Sequence, residues 1–209
     1  MADLTFWTNP MSRGRIVRWM LEETGAEYET HVLGYGPEMK SPDYLAVNPM
    51  GKVPAIRHRG TVVTECAAIC AYLADAFHEA GLAPDPASPA RGTYYRWLFF
   101  GAGPVEAAVT NASLGVKLET PQLEGRVGYG SMQRVLDTLQ DWLDGREYVL
   151  GDRFSAADVY LGAQVAWGLQ FGTLEERPGF RDYAERLMAR SAAIRAREAD
   201  DALIPQGNG

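Results

Sequence analysis

The chain has 209 residues, 46% of them hydrophobic and 22% charged, enough for one large domain or two small ones with a full core. Its 27 acidic residues outnumber 20 basic ones and leave a net charge of −7, which argues against a nucleic-acid partner. Two cysteines, no apolar run of about 18 residues, and a start broken by Asn9-Pro10 and three arginines argue against a secreted disulfide scaffold, a membrane span and a cleaved leader; a reducing cytoplasm is the expected compartment.

In chain order, Leu4-Thr5-Phe6-Trp7 reads as a short buried strand stopped by Asn9-Pro10. Ser12 then opens a helix with apolar positions Ile16, Val17, Trp19, Met20 and Leu21, ending near Gly25. Arg13, Arg15 and Arg18 read as a solvated face of it. Tyr28 to Leu33 reads as a second strand, followed by a loop with one helical turn at 42–46. Pro54-Ala55-Ile56 starts a third strand, Gly60 turns it into Thr61-Val62-Val63, and Glu65 to Phe77 is a helix. The order β-α-β then β-β-α gives a small α/β domain over 1–78.

Pro84 and Pro86, with Pro89 directly after, then stiffen a linker over 79–88. Helical periodicity dominates beyond it, with helices expected at 89–116 (kinked near Gly103-Pro104), 123–144, 155–170, 179–189 and 191–199, and a loose tail at Pro205–Gly209. Residues 89–209 thus read as an all-helical domain. Ser155 followed by Asp158 is a capping-box variant stapled by Phe154, a structural signal without chemistry.

Two motifs carry chemistry. Asn48-Pro49-Met50-Gly51-Lys52-Val53-Pro54 reads as a turn delivering a bent strand edge, able to pair with the backbone of an extended peptide. Glu65-Cys66 reads as a helix start, where free N–H groups and the partial positive charge suit a carboxylate. Together they suit a small peptide acid. His31, His58 and His78 have no ligand spacing, so no metal site is expected. Cys66 and Cys70, four apart on one helix, are badly placed for an internal disulfide.

With Thr64-Glu65-Cys66-Ala67-Ala68-Ile69, Tyr72-Leu73 and Gly151-Asp152-Arg153-Phe154-Ser155-Ala156-Ala157-Asp158 in the same order and spacing, nearly the whole chain resembles the cytosolic glutathione transferases. The resemblance implies a thioredoxin-like first domain with a mixed four-stranded sheet, a homodimer, and glutathione as co-substrate. By it Pro54 is cis, Val53 pairs with the cysteinyl backbone, Glu65 takes the γ-glutamyl ammonium, the N–H groups at 66 and 67 take its carboxylate, and Lys52 or Lys40 meets the glycyl carboxylate. Cys66 stands where the family usually has serine.

No tyrosine lies in the first strand, where Phe6-Trp7 stand, so the chain resembles the bacterial serine or cysteine types more than the tyrosine types. Ser12 is the candidate to hold the glutathione thiol as thiolate, although it also reads as an ordinary N-cap; Asn9 comes next through its amide N–H, and Thr8 third. A small hydrophobic electrophile would lie between the domains, with Met11, Tyr35, Tyr94, Trp97, Glu106 and Trp167 among its walls, positions that also suit a core. The implied activity is conjugation of the tripeptide to such electrophiles, as in detoxification. The alternatives are a glutathione-dependent peroxidase or thiol reductase, and a non-catalytic glutathione-binding module.

Overall fold

The structure is a computed structural model that describes residues 3–204; the tail expected at Pro205–Gly209 lies outside the described residues. It divides into two compact units, residues 1–81 with 190–209, and residues 82–189.

The first unit is built on a four-stranded sheet of order β2-β1-β3-β4. Its strands are β1 (Leu4–Thr8), β2 (Glu29–Val32), β3 (Ala55–His58) and β4 (Thr61–Thr64), with β2 parallel to β1 and the other pairs antiparallel. Alternation along β1 sends successive side chains to opposite faces. Phe6 meets Arg18 of α1 (Gly14–Thr24), whose guanidinium lies 5.3 Å from the ring centroid. Trp7 faces the other way and packs with Met39, Tyr44 and Ala55, where Leu33, Val47 and Val53 join it. That second small core fixes the loop carrying α2 (Pro42–Leu45).

On the first face, α1 buries Ile16, Val17, Trp19, Met20 and Leu21 against α3 (Cys66–Ala76), which buries Ile69, Cys70 and Leu73. Gly25 at φ 67° ends α1 as a left-handed cap, free of the Cβ penalty. The helix begins at Gly14, two residues later than expected, because residues 9–13 close a separate turn.

The last helix, α10 (Ser191–Asp201), was expected beside its neighbours in sequence but packs on α1 within the first unit. Its anchor is the buried pair of Arg18 Nε and Asp200 Oδ1 at 2.7 Å. Around it lie a two-pronged bond from Arg190 to Glu23 (2.6 and 2.8 Å) and an Arg195–Glu22 bond of 3.0 Å.

The second unit is helical. Its centre is α8 (Ala156–Phe171), buried along most of its length and packed against α4 (Ala90–Phe100) and α9 (Phe180–Met188). Asp158, at its start, accepts from the N–H of Val149 (2.7 Å), the N–H and hydroxyl of Ser155 (2.9 Å each) and the Tyr183 hydroxyl (3.0 Å). Burial pushes its carboxyl up to about 6, against the pull of those donors.

The helix expected at 89–116 runs as α4, a wide π turn over Gly101–Val105, and α5 (Glu106–Ser113). Pro104 brings no N–H to this stretch, and Gln164 Nε2 donates to the Gly101 carbonyl at 3.2 Å. The helix expected at 123–144 is split. A short α6 (Pro121–Glu124) stops at Gly125, and α7 (Met132–Leu143) starts only after Gly128 and Gly130, capped by the Ser131 hydroxyl. Among the described residues no helix is long and apolar enough to cross a membrane, and no group of three or more His, Cys, Asp or Glu could hold a metal.

Candidate active site

The strand registers gather the candidate residues at one end of the sheet. Trp7, next to the end of β1, pairs with Ala55, the first residue of β3; Ala55 also pairs with Thr64, the last of β4; and Thr8 pairs with Val32, the last of β2. The segments that continue from these ends are Asn9–Arg13, Val53-Pro54, Glu65 and Leu33–Tyr35. The Cys66 thiol donates to the Arg13 carbonyl at 3.7 Å, so the starts of α1 and α3 are neighbours. Two helix N-termini therefore bring their partial positive charges to the same place.

The turn Asn9–Arg13 has every carbonyl engaged. Asn9 O accepts from the Ser12 N–H (3.0 Å) and hydroxyl (2.7 Å), Pro10 O from Arg15 Nε (2.5 Å), and Met11 O from the Tyr35 hydroxyl (3.1 Å). Ser12 O accepts from the Arg15 N–H (3.2 Å), and Arg13 O from the Ile16 N–H (3.0 Å) as well as from Cys66. The Ser12 hydroxyl also accepts from the Gly14 N–H at 2.9 Å. In this arrangement its one proton is directed at Asn9 O, and the hydroxyl braces the turn.

Asn9 is placed differently. It is buried, and its carboxamide bridges two strands' ends, donating to Leu33 O (2.8 Å) and accepting from the Met11 N–H (2.9 Å). A carboxamide carries two N–H donors, and this bonding uses one. Thr8 is fully buried beneath the start of α1, and its Oγ1 has no partner among the described residues. A Cβ at position 14 would stand 1.9 Å from that oxygen, so only glycine lets α1 begin so close to β1.

The 48–54 segment is held from below. Tyr44 Oη and Asn48 Nδ2 both donate to Lys52 O, at 2.7 and 2.8 Å, and Lys40 Nζ donates to Met50 O and Gly51 O at 3.0 Å each. Gly51 sits at φ 58°, where a Cβ would come within 2.6 Å of Met39 O. Burial pushes the Tyr44 phenol up to about 12, so it remains a donor at neutral pH. The Val53–Pro54 bond is cis, and among the described residues the backbone of Val53 joins no strand ladder and no backbone hydrogen bond. Lys52 itself is exposed.

Glu65 is exposed and takes φ 66°, ψ 114°, outside the region ordinary residues prefer. Such a conformation costs on the order of 1–3 kcal/mol and gathers at functional sites. No side-chain cap hydrogen bond closes the start of α3, and Glu65 stands at its N-cap position.

The first unit thus brings together Asn9, Met11, Ser12, Tyr35, Lys40, Lys52, Val53, Pro54, Glu65 and Cys66. Met11 and Tyr35 are 68% and 62% exposed, an apolar pair at the rim of the turn. The remaining expected wall residues belong to the second unit. There Tyr94 and Trp97 are fully buried in the helical core, whereas Glu106 and Trp167 are half-buried. Sequence reasoning missed Tyr44 and the pairing of Arg15 with Asp201 (2.5 Å). Tyr44 gave no signal beyond a helical turn, and 186 residues separate Arg15 from Asp201.

Comparison with known proteins places relatives over most of the chain. The glutathione S-transferase N-terminal domain profile matches residues 11–76, and the glutathione S-transferase C-terminal domain profile matches residues 120–191. Glutathione S-transferase GstA of Escherichia coli O157:H7 is 29% identical over 167 residues, 79% of each chain. A crystal structure of a glutathione transferase from Methylococcus capsulatus superposes with a TM-score of 0.79 at 29% identity, covering 96% of this chain and 100% of the other. The glutathione transferase URE2P6 of Phanerochaete chrysosporium, solved with oxidised glutathione, gives 0.79 at 26% identity over 97% and 98%.

Proposed function

The chain belongs to the glutathione S-transferase family, and from that premise we propose how its residues carry out glutathione transfer. The cysteinyl backbone of glutathione pairs with the unengaged N–H and C=O of Val53. The γ-glutamyl carboxylate meets the backbone N–H groups that open α3, and its ammonium meets Glu65. The glycyl carboxylate meets Lys52, while Lys40 acts one step back by fixing the carbonyls of Met50 and Gly51.

That pose sets the sulfur over the turn Asn9–Arg13. A free thiol titrates near 8.5, so neutral-pH chemistry needs a group that favours the anion. The second amide N–H of Asn9 supplies a donor, and the starts of α1 and α3 add positive potential. The thiolate then attacks the electrophilic carbon; a C–S bond forms and the leaving group departs with its electron pair. Met11 and Tyr35 supply apolar contact for that electrophile. The exposed α4 residues Tyr95 and Phe99, 41% and 72% accessible, support a homodimer, and the composition supports a cytoplasmic setting.

The observation that carries this reading is the convergence at one end of the sheet of a Val53 backbone and an Asn9 N–H that, among the described residues, have no further partner, together with the Glu65 helix start. Conjugation kinetics with Asn9→Ala and Ser12→Ala test it. Asn9→Ala is expected to lower kcat on the order of 100–1000-fold, the usual cost of losing a preorganised donor to a developing anion. Ser12→Ala is expected to cost about 1 kcal/mol of stability through the loosened turn, with a much smaller kinetic effect. A Ser12→Ala enzyme that loses kcat while Asn9→Ala retains it would reverse the two roles.

A second reading, reduction of disulfides by bound glutathione, gains from the relative solved with oxidised glutathione. It uses the same thiolate, attacking a disulfide sulfur instead of carbon. Turnover of mixed disulfides without turnover of carbon electrophiles would favour it.

A further inference from the structure

The turn that carries Asn9 is tied to the far end of the chain. Arg15 points its Nε at Pro10 O (2.5 Å) and its Nη2 at Asp201 Oδ1 (2.5 Å). One guanidinium thus joins the carbonyl next to Asn9 to the last turn of α10. Arg15 is about a quarter exposed and Asp201 about half exposed, so screening limits what the ion pair adds to stability. The geometry matters more than the energy. A guanidinium is a planar fork, and fixing one prong fixes the direction of the other.

We propose that Arg15 and Asp201 are positioning residues for thiolate formation: Asp201 orients Arg15, and Arg15 holds the Pro10 carbonyl turned away from the glutathione sulfur. Neither touches the tripeptide in this scheme. Two effects follow from that hold. The first is electrostatic. With Pro10 O bonded to a cation, its partial negative charge is drawn off from the neighbourhood of an anionic sulfur. Releasing it sets a free carbonyl dipole beside the thiolate, which disfavours the anion. The second is geometric. Pro10 follows Asn9 directly, and a turn of the Asn9–Pro10 segment re-aims the amide donor. A displacement of about 1 Å at a reacting centre can cost about 100-fold in rate.

The other ties between α1 and α10 do not do this. Arg18–Asp200, Glu23–Arg190 and Glu22–Arg195 clamp the helices together without reaching the turn. Arg15 bonds both ways, so the same packing of helices carries a structural clamp and a link to the site.

The inference rests on the reading that the Asn9 turn holds the sulfur, and the test separates the two. The pH dependence of kcat/KM for the electrophile at saturating glutathione, together with the ultraviolet absorbance of bound glutathione thiolate, is measured for wild type, Arg15→Gln, Asp201→Asn, Asn9→Ala and Arg195→Ala. Arg195→Ala removes an exposed α1–α10 bond that does not touch the turn. Arg15→Gln and Asp201→Asn are expected to shift the apparent thiol pKa upward by about half a unit or more and to lower kcat roughly tenfold, with KM for glutathione changed less than about threefold. Arg195→Ala is expected to follow the wild-type profile. Profiles of Arg15→Gln and Asp201→Asn that superimpose on wild type overturn the proposal, as does an equal shift in Arg195→Ala. A flat response in Asn9→Ala with a shift in the other two removes Asn9 from its role and leaves the brace standing through the turn's backbone. Should Arg15→Gln fail to fold, Asp201→Asn decides alone, since it leaves the guanidinium in place.

Discussion

At the scale of single residues, the division of labour around the 48–54 segment is sharp. Lys52 O is the shared acceptor of Tyr44 Oη and Asn48 Nδ2, and its position sets the next residue, Val53. Removing the phenol in Tyr44→Phe keeps the ring in its packing against Trp7 but deletes one of those two donors. The expected outcome is a rise in KM for glutathione of about three- to tenfold, matching roughly 1 kcal/mol for one hydrogen bond, with kcat little changed; steady-state kinetics and calorimetric titration check it. Asn48 was legible in the sequence as part of a motif, and Tyr44 was not, because a tyrosine in a short helical turn carries no spacing signal. Ser12 shows the opposite failure. A serine before an apolar run reads as a cap, yet Pro10 and Arg13 close a tight turn first, and the helix waits until Gly14. The hydroxyl that the sequence offered to a ligand is spent on Asn9 O.

At the scale of elements, α8 depends on its first turn. Asp158 was read correctly as a cap, but its extra partners, Val149 and Tyr183, arrive from distant parts of the unit. Burial holds its carboxyl up at about 6 in the folded protein, above an ordinary value of 3.8, so the folded state holds the proton more tightly. The contribution of this group is therefore fully present below about pH 4 and is lost as pH rises toward 6. The stability difference between wild type and Asp158→Asn is expected to move against wild type over that window, by on the order of 2–3 kcal/mol, and to level off above it. Urea unfolding at several pH values measures it. Asp158→Ala, which strands the Val149 N–H and the Tyr183 hydroxyl at any pH, is expected to cost about 3 kcal/mol or more at pH 7. The split of the expected 123–144 helix has a plain cause as well. Apolar residues recur through it at helical spacing, but Gly125, Gly128 and Gly130 weaken the stretch before Ser131 offers a better start.

At the scale of the whole molecule, the sheet-bearing unit and its motifs were legible, since hydrophobic periods and turn residues are local. The return of α10 to α1 was not, because its ion pairs join residues more than 160 positions apart. Cutting the chain after Ala189 leaves Arg18 buried without Asp200, a loss of about 3–5 kcal/mol, and bares the face of α1 that α10 covers. That truncated protein is expected to show a much lower urea midpoint, or no cooperative transition, by circular dichroism. The same arrangement bears on biosynthesis. Residues 82–189 must leave the ribosome before α10 does, which takes roughly 5–20 s at ordinary elongation rates. During that interval the amino-terminal sheet exists without its closing helix, exposed to proteases and chaperones, so nascent chains stalled before residue 190 should be cleaved within α1 while released chains resist.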